Sequence, residues 1–106
     1  MRKVVRTEHP HIVMTEGLCG GRPAIEGTRI SVDFIARFLK SGTDPLEIAA
    51  MYPHLTLAAV YDAASYYFDH QAEIEQMIED GRPENVLAKM GAHVDETGKV
   101  IFRKSS

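Results

Sequence analysis

The residue types best suited to chemistry are one cysteine and a pair of histidines near the N-terminus. Cys19 precedes Gly20 and Gly21, and a thiol beside two glycines fits either a nucleophile or a turn whose N–H groups bind an anion. No histidine and aspartate follow at a recognisable spacing, so the sequence favours a structural turn. His9 and His11 fall on one face of a predicted strand, but nothing in the pattern completes a zinc ligand set. We therefore expect no catalytic residue, no metal site and no cofactor.

Basic side chains are more informative, because they gather at the two ends of the chain. Residues 1–43 carry seven basic and four acidic side chains, residues 44–96 carry eleven acidic and two basic ones, and residues 97–106 carry three basic ones. This asymmetry indicates one end that faces a polyanion and another that meets a different partner, with solvated faces of unequal charge as the simpler interpretation. The cations predicted to contact phosphates are Arg2, Lys3, Arg6, Arg22 and Arg29. Pairing with Glu26 is an equal alternative for Arg29.

Length and composition limit the remaining classes of protein. The chain has 106 residues, 44% hydrophobic and 25% charged, with a formal net charge of −3, as is typical of one globular domain. Its apolar runs are far shorter than the roughly 20 residues that span a bilayer, and no apolar segment of a secretory signal follows the basic N-terminus. The single cysteine excludes an intrachain disulfide. We expect a cytoplasmic protein without membrane association.

The elements that must position these residues begin with a short antiparallel ribbon. Residues 12–15 are apolar and partly β-branched, residues 17–23 have turn chemistry, and residues 24–25 resume an extended run. Ser31 predicts the N-cap of a first helix, which Ser41 and Gly42 end. Thr43 or Asp44 caps a second helix, with Pro45 just inside its start, and this helix ends near residue 51.

The third helix is predicted to be the longest element. Thr56 caps it, and Gly81 and Pro83 end it. The stripe predicted to be buried recurs at helical spacing and comprises Leu57, Val60, Tyr61, Ala64, Tyr67, Phe68, Gln71, Ile74 and Ile78. A short helix over 84–90 and a hairpin that pairs 93–94 with 100–102 follow. The fold class is therefore mainly α: a tri-helical helix-turn-helix (homeodomain-like) with a short N-terminal β-ribbon and a C-terminal helix/strand appendage. We divide the chain into a ribbon and helix-turn-helix domain, 1–80, and an appendage, 81–106.

In a helix-turn-helix protein, the start of the third helix enters the major groove of DNA. The residues off its apolar stripe, which we expect to face DNA, are Thr56, Ala58, Ala59, Asp62 and Ser65. The alanines allow close approach, and their methyl groups suit thymine. Asp62 and Asp69 oppose this interpretation, since no lysine or arginine lies between Thr56 and Ile78. Plain three-helix packing therefore remains the alternative.

The end of the third helix and the appendage contain too many apolar residues for a free tail. Those predicted to bind a partner are Ile74, Met77, Ile78, Val86, Leu87, Met90, Val100, Ile101 and Phe102. A segment of this kind orders when it inserts into a groove of another protein. Docking onto its own domain or onto a sister subunit is an equal alternative.

Two segments of the chain resemble domain-of-unknown-function family 433. HPHIVMTEGLCGGRPAIEGTRISV holds a Cys-Gly-Gly-x-Pro turn at 19–23 and Gly-Thr-Arg-Ile-x-Val at 27–32, and SGTDPLEIAAMYPHLTLAAVYDAASYY holds Tyr-Pro-x-Leu-Thr at 52–56. The resemblance covers about residues 9–80. It implies a homeodomain-like helix-turn-helix with an N-terminal β element, in a protein that looks like a VapB-type antitoxin paired with a PIN-like ribonuclease toxin. It associates no catalytic role with these motifs.

Two functional hypotheses follow from the residues and the resemblance. In the first, the protein is the antitoxin of a type II toxin–antitoxin pair, a cytoplasmic homodimer that binds its own operator and regulates transcription. Its C-terminal segment then neutralises a PIN-like ribonuclease toxin. In the second, it is a protein-interaction adaptor or dimerisation module that does not bind DNA. The sequence contains no set of residues that supports an enzyme.

Overall fold

The computed structural model describes residues 2–82, 91–94, 96–97 and 99–102. The elements in chain order are β1 (Val4–Arg6), β2 (Ile12–Thr15), a 3₁₀ turn (Cys19–Gly21), β3 (Ala24–Ile25), α1 (Val32–Lys40), α2 (Pro45–Met51), α3 (Leu57–Asp69), α4 (Gln71–Asp80), β4 (Ala92–Val94) and β5 (Val100–Phe102). The fold therefore combines four helices with a small three-stranded antiparallel sheet and a two-stranded hairpin. The helix predicted over 84–90 lies outside the described residues.

The N-terminal ribbon is confirmed and gains an edge strand. β2 is central, with β1 antiparallel on one side, where Val5 lies opposite Met14, and β3 antiparallel on the other, where Ile12 lies opposite Ile25. β1 was not predicted, because its three residues are exposed and show no alternation between buried and solvated faces. The turn between β2 and β3 needs its glycines, since Gly20 and Gly21 have φ values of 62° and 77°.

The helix starts follow the predicted capping residues. The Ser31 hydroxyl accepts a hydrogen bond from the backbone N–H of Phe34 and begins α1. The Asp44 carboxylate caps α2 with Pro45 in its first turn, and Thr56 accepts from the N–H of Ala59 at the start of α3. Each cap satisfies a donor that has no partner within the helix, so these side chains fix where the helices begin.

The hydrophobic core lies where the helices meet the inner face of the sheet. α1 packs against α3 and α4, α2 packs against α3, and α3 also contacts β2 and β3. The largest fully buried side chains are Ile12, Val32, Ile35, Ile48, Val60 and Ile74. Each contributes about 1.5–3 kcal/mol of hydrophobic free energy relative to an exposed side chain. The described core therefore joins the sheet and all four helices.

The prediction of one long third helix is wrong. α3 ends at Asp69 and α4 begins at Gln71, because His70 between them leaves helical geometry, with φ −126° and ψ 39°. No glycine or proline marks this position, and contacts from both His70 and Asp69 to the loop before β2 hold the break. The break makes α4 a separate helix from α3, and α4 packs against α1.

The C-terminal hairpin is confirmed in its backbone pairing. β4 and β5 are antiparallel, with His93 opposite Ile101.

None of the described helices combines the length and the apolar character needed to cross a bilayer.

Candidate functional site

A groove on the α1 side of the molecule brings together two of the predicted phosphate-contacting residues, Arg22 and Arg29, with Arg37, which was not predicted. It has a volume of about 410 Å³, and its basic lining residues are Arg22, Arg29 and Arg37. Asp33 is the one carboxylate among its described lining residues. A depression of about 380 Å³ adjoins it along α1, shares Arg37, and adds Lys40 and Arg82. We call this continuous surface the basic groove.

Arg22 is fixed in position by two contacts. Its Nε donates to the carbonyl oxygen of Cys19 at 2.8 Å, and its Nη1 donates to Asp33 Oδ2 at 2.6 Å. Asp33 is buried in the first turn of α1, and its Oδ1 has no hydrogen-bond partner among the described residues. The Cys19 thiol donates to the carbonyl oxygen of Arg29 at 3.3 Å, so the cysteine joins the turn to the Arg29 segment.

The other predicted cations differ in what surrounds them. Arg29 is exposed, and the alternative pairing with Glu26 is wrong, because Glu26 binds Arg6 at 2.6 Å. Arg29 and Arg37 form no ion pair within the described residues and are available to an anion. Arg2 and Lys3 are exposed next to β1. No described contact brings them, or Arg6, to the basic groove.

The residues predicted to face DNA on α3 separate into two groups. Thr56, Ala58 and Ser65 are exposed. The prediction of an outward position is wrong for Ala59, which is only 4% exposed within the core, and for Asp62, whose carboxylate faces the loop before β2. The outward face of α3 is instead formed by Leu57, Tyr61, Ser65 and Phe68, which we call the apolar face of α3. Sequence periodicity had placed Leu57, Tyr61 and Phe68 on the buried stripe, and that is also wrong.

A group of histidines and carboxylates joins the loop before β2 to α3 and α4, and the sequence analysis missed it. We call it the histidine cluster, and its members are Glu8, His9, Asp62, Asp69, His70 and Glu73. The His9 ring is buried, with Nδ1 2.9 Å from Asp62 Oδ1 and Nε2 2.7 Å from Asp69 Oδ2. The other Asp62 oxygen accepts from the backbone N–H of His11 at 2.8 Å.

The second histidine of the cluster is oriented in a similar way. His70 Nε2 contacts Glu8 Oε1, and its Nδ1 lies 3.3 Å from Glu73 Oε2. The ring of Tyr66 stacks on His70 with centroids 4.3 Å apart. The contacts of His9 with Asp62 and of His70 with Glu8 each span more than fifty positions in the chain, so no local spacing signals them.

The charges of the cluster shift the proton affinities of its members. Burial acts to lower the pKa of His9, but hydrogen bonds to Asp62 and Asp69 outweigh it, so the pKa is raised. The pKa of His70 is raised mainly by its hydrogen bond to Glu8, and the same bond lowers the pKa of the Glu8 carboxyl group. Each shift favours the ionised form of the group.

The residues predicted to bind a partner are only partly available for that role. Ile74 is fully buried in the domain core, so its prediction as a partner-binding residue is wrong. Met77 and Ile78 are half-buried at the floor of the basic groove. Ile101 on β5 is exposed, and the backbone of Val100 and Phe102 forms the rest of that strand. Val86, Leu87 and Met90 lie outside the described residues.

Fold and groove together define a small helical domain, with an N-terminal antiparallel sheet, that presents arginines on one side. The chain belongs to the DUF433 family, since the model described as "Protein of unknown function (DUF433)" matches residues 12–67. It is also similar to the crystal structure, at 2.00 Å resolution, of a DUF433 member protein from Anabaena variabilis ATCC 29413. That similarity has 33% sequence identity and a TM-score of 0.61, over 65% of this chain and 68% of the other. No curated protein matches the chain.

Proposed function

We propose that the protein binds nucleic-acid backbone through the basic groove, as the DNA-binding antitoxin of a type II toxin–antitoxin pair. The observation that carries the proposal is the convergence of three arginines, Arg22, Arg29 and Arg37, on one groove whose described lining has a single carboxylate. Arginine presents several donors in a planar fork that suits phosphate oxygens. A polyanion that lies along the groove replaces water around these cations and releases the counterions of its own phosphates.

The proposal includes a tri-helical helix-turn-helix formed by α1, α2 and α3. It is supported by the order of the helices and by the short link between α2 and α3, which Thr56 ends as the cap of α3. Thr56 and Ala58 are then the predicted residues that remain exposed at the start of α3 for contact with bases. A homodimer repeats the basic groove and spaces two half-sites on the DNA.

The test measures binding of the full chain to the DNA upstream of its own reading frame, over a range of salt concentrations. The affinity is expected to fall steeply with salt, because each neutralised phosphate contributes about −0.9 to the slope of log affinity against log salt. Arg29→Ala combined with Arg37→Ala should weaken binding at least about tenfold and reduce that slope by about two. Arg6→Ala is the matched control, since Arg6 is held by Glu26 away from the groove. Salt-independent binding, or an equal loss in the control, contradicts the proposal.

Protein interaction without DNA binding is the second candidate function. The apolar face of α3 supports it, because Tyr61 and Phe68 are 49% and 64% exposed and have no basic neighbour on that helix. Large exposed apolar side chains in one row are typical of protein interfaces. Two results together favour the adaptor. The protein then binds neither operator DNA nor random duplex DNA at low salt, and it loses self-association when the apolar face of α3 is made polar.

A further inference from the structure

We propose that Glu8, His9 and Asp69 form a binding site for a divalent transition-metal ion such as Zn²⁺. The site is independent of the basic groove and lies where the loop before β2 meets the end of α3. One ligand atom from each residue lies within 4.8 Å of the other two. These donors are drawn from positions 60 residues apart.

The distances between the donor atoms are close to those of a metal site. Around a tetrahedral zinc ion with bonds of about 2.0–2.2 Å, neighbouring ligand atoms lie about 3.3–3.6 Å apart. His9 Nε2 is 2.7 Å from Asp69 Oδ2 and 3.9 Å from Glu8 Oε1. The ion takes the place of the proton between His9 and Asp69. Binding therefore lengthens the distance from His9 Nε2 to Asp69 Oδ2 and shortens the distance from His9 Nε2 to Glu8 Oε1, each by less than about 1 Å.

The orientation of His9 favours a ligand at Nε2. Asp62 accepts from Nδ1 at 2.9 Å, and its other oxygen is engaged by the N–H of His11. Zinc-bound histidines in proteins are oriented in this way, with a carboxylate on the ring nitrogen that does not bind the metal. Asp62 is therefore a positioning residue. His70 contacts Glu8 Oε1, the oxygen that faces His9, and so holds that carboxylate at the site.

The charge of the cluster also favours a cation. Four carboxylates, those of Glu8, Asp62, Asp69 and Glu73, face two imidazole rings. Within the described part of the chain, no lysine or arginine forms an ion pair with any of the four. With His9 neutral, as a metal ligand must be, and His70 charged, negative charge is in excess by three, and a divalent ion neutralises two of these charges. One imidazole with two carboxylates suits Zn²⁺ or Mn²⁺, whereas Mg²⁺ prefers oxygen ligands alone.

The experiment titrates Zn²⁺ into the full chain, purified without an affinity tag and freed of metal by a chelator. Isothermal titration calorimetry should give one ion per chain, and thermal unfolding followed by circular dichroism should shift upward with Zn²⁺ but not with equal Mg²⁺. Glu8→Gln and Asp69→Asn each remove a ligand charge and should weaken Zn²⁺ binding at least about tenfold. Asp62→Asn should cause a loss of about 10–100-fold through the orientation of His9.

The controls separate a lost site from a lost fold. The side chains of Glu8 and Asp69 are both 59% exposed, and each amide keeps an oxygen that can accept from the facing histidine, so the two ligand variants should keep the wild-type far-ultraviolet spectrum. His54→Gln removes an exposed histidine outside the cluster and should bind Zn²⁺ like the wild type. Binding that is absent, that survives Asp69→Asn unchanged, or that His54→Gln abolishes overturns the proposal. None of these outcomes depends on nucleic-acid binding by the basic groove.

Discussion

At the scale of single residues, Asp33 is the side chain that most directly sets the charge of the basic groove. It is buried at the start of α1 and accepts from Arg22. Asp33→Asn removes the carboxylate that repels phosphate, so nucleic-acid affinity should rise about fivefold, equivalent to about 1 kcal/mol. The free energy of unfolding should fall by about 1 kcal/mol, because the N-terminal end of α1 loses a stabilising negative charge. Fluorescence anisotropy and urea denaturation measure the two effects.

A charge-matched control separates a groove effect from a change in net charge. Glu16→Gln removes one negative charge from an exposed position that does not line the groove. It should leave both the affinity and the stability near the wild-type values. Equal gains in affinity for the two variants mean that net charge, and not the groove, governs binding.

Residue identity alone predicted part of this chemistry. The sequence placed Arg22 and Arg29 together beside a glycine-rich turn, and both line the basic groove. The partner of Arg22 was not predictable, since Asp33 had an evident local role at the start of a helix. The histidine cluster was missed for a stronger reason. His9 meets Asp62 and Asp69 only after α3 packs over the sheet, and sequence spacing contains no information on that contact.

At the scale of the elements, capping residues were the most reliable signals. Thr56 accepts a hydrogen bond from the N–H of Ala59 and begins α3, the helix that contacts α1, α2 and the sheet. Thr56→Ala should lower the free energy of unfolding by about 1 kcal/mol, because one backbone donor at the start of α3 loses its partner. Urea denaturation measures the loss. Ser65→Ala, on the exposed face of the same helix, should change stability by less than about 0.5 kcal/mol.

Local sequence signals do not predict the break between α3 and α4. Apolar residues recur at helical spacing from Leu57 to Ile78, and this pattern predicts one continuous helix. The break at His70 depends on tertiary contacts with Glu8 and on Asp69 with His9. The buried face of α3 also differs from the prediction, because Tyr61 and Phe68 remain outside, whereas Ala59 and Ala63 lie inside together with Tyr66 and Tyr67. Tertiary packing, more than residue size or hydropathy, decided which side of α3 is buried.

At the scale of the whole molecule, the apolar face of α3 is predicted to join two copies of the chain. None of its residues lines the basic groove, so a dimer formed there leaves both grooves open. Phe68→Ser should raise the dimer dissociation constant at least about tenfold, as expected for a central aromatic contact. Leu46→Ser, an exposed apolar position on α2, is the control. Sedimentation velocity measures the change, and a monomer at every concentration contradicts the prediction.

The division of the chain into a folded domain and an appendage gives a final prediction. Among the described residues, the buried core lies between Ile12 and Ile74, and Met77 and Ile78 pack against its edge. A chain that ends after Arg82 therefore keeps this core and the described lining of the basic groove. Its thermal unfolding midpoint and its affinity for operator DNA should stay near those of the full chain.

Under the proposed antitoxin function, the same truncation should remove neutralisation of a PIN-like nuclease toxin. Inhibition of RNA cleavage by the PIN-like nuclease measures this, with the full chain as reference and Ile101→Ser as a milder variant at an exposed position of β5. Ile101→Ser should weaken inhibition without changing DNA affinity, because Ile101 is not among the described lining residues of the groove. If the truncated chain still inhibits the nuclease, the surface that binds the nuclease belongs to residues 1–82. The apolar face of α3 is then the candidate for that surface.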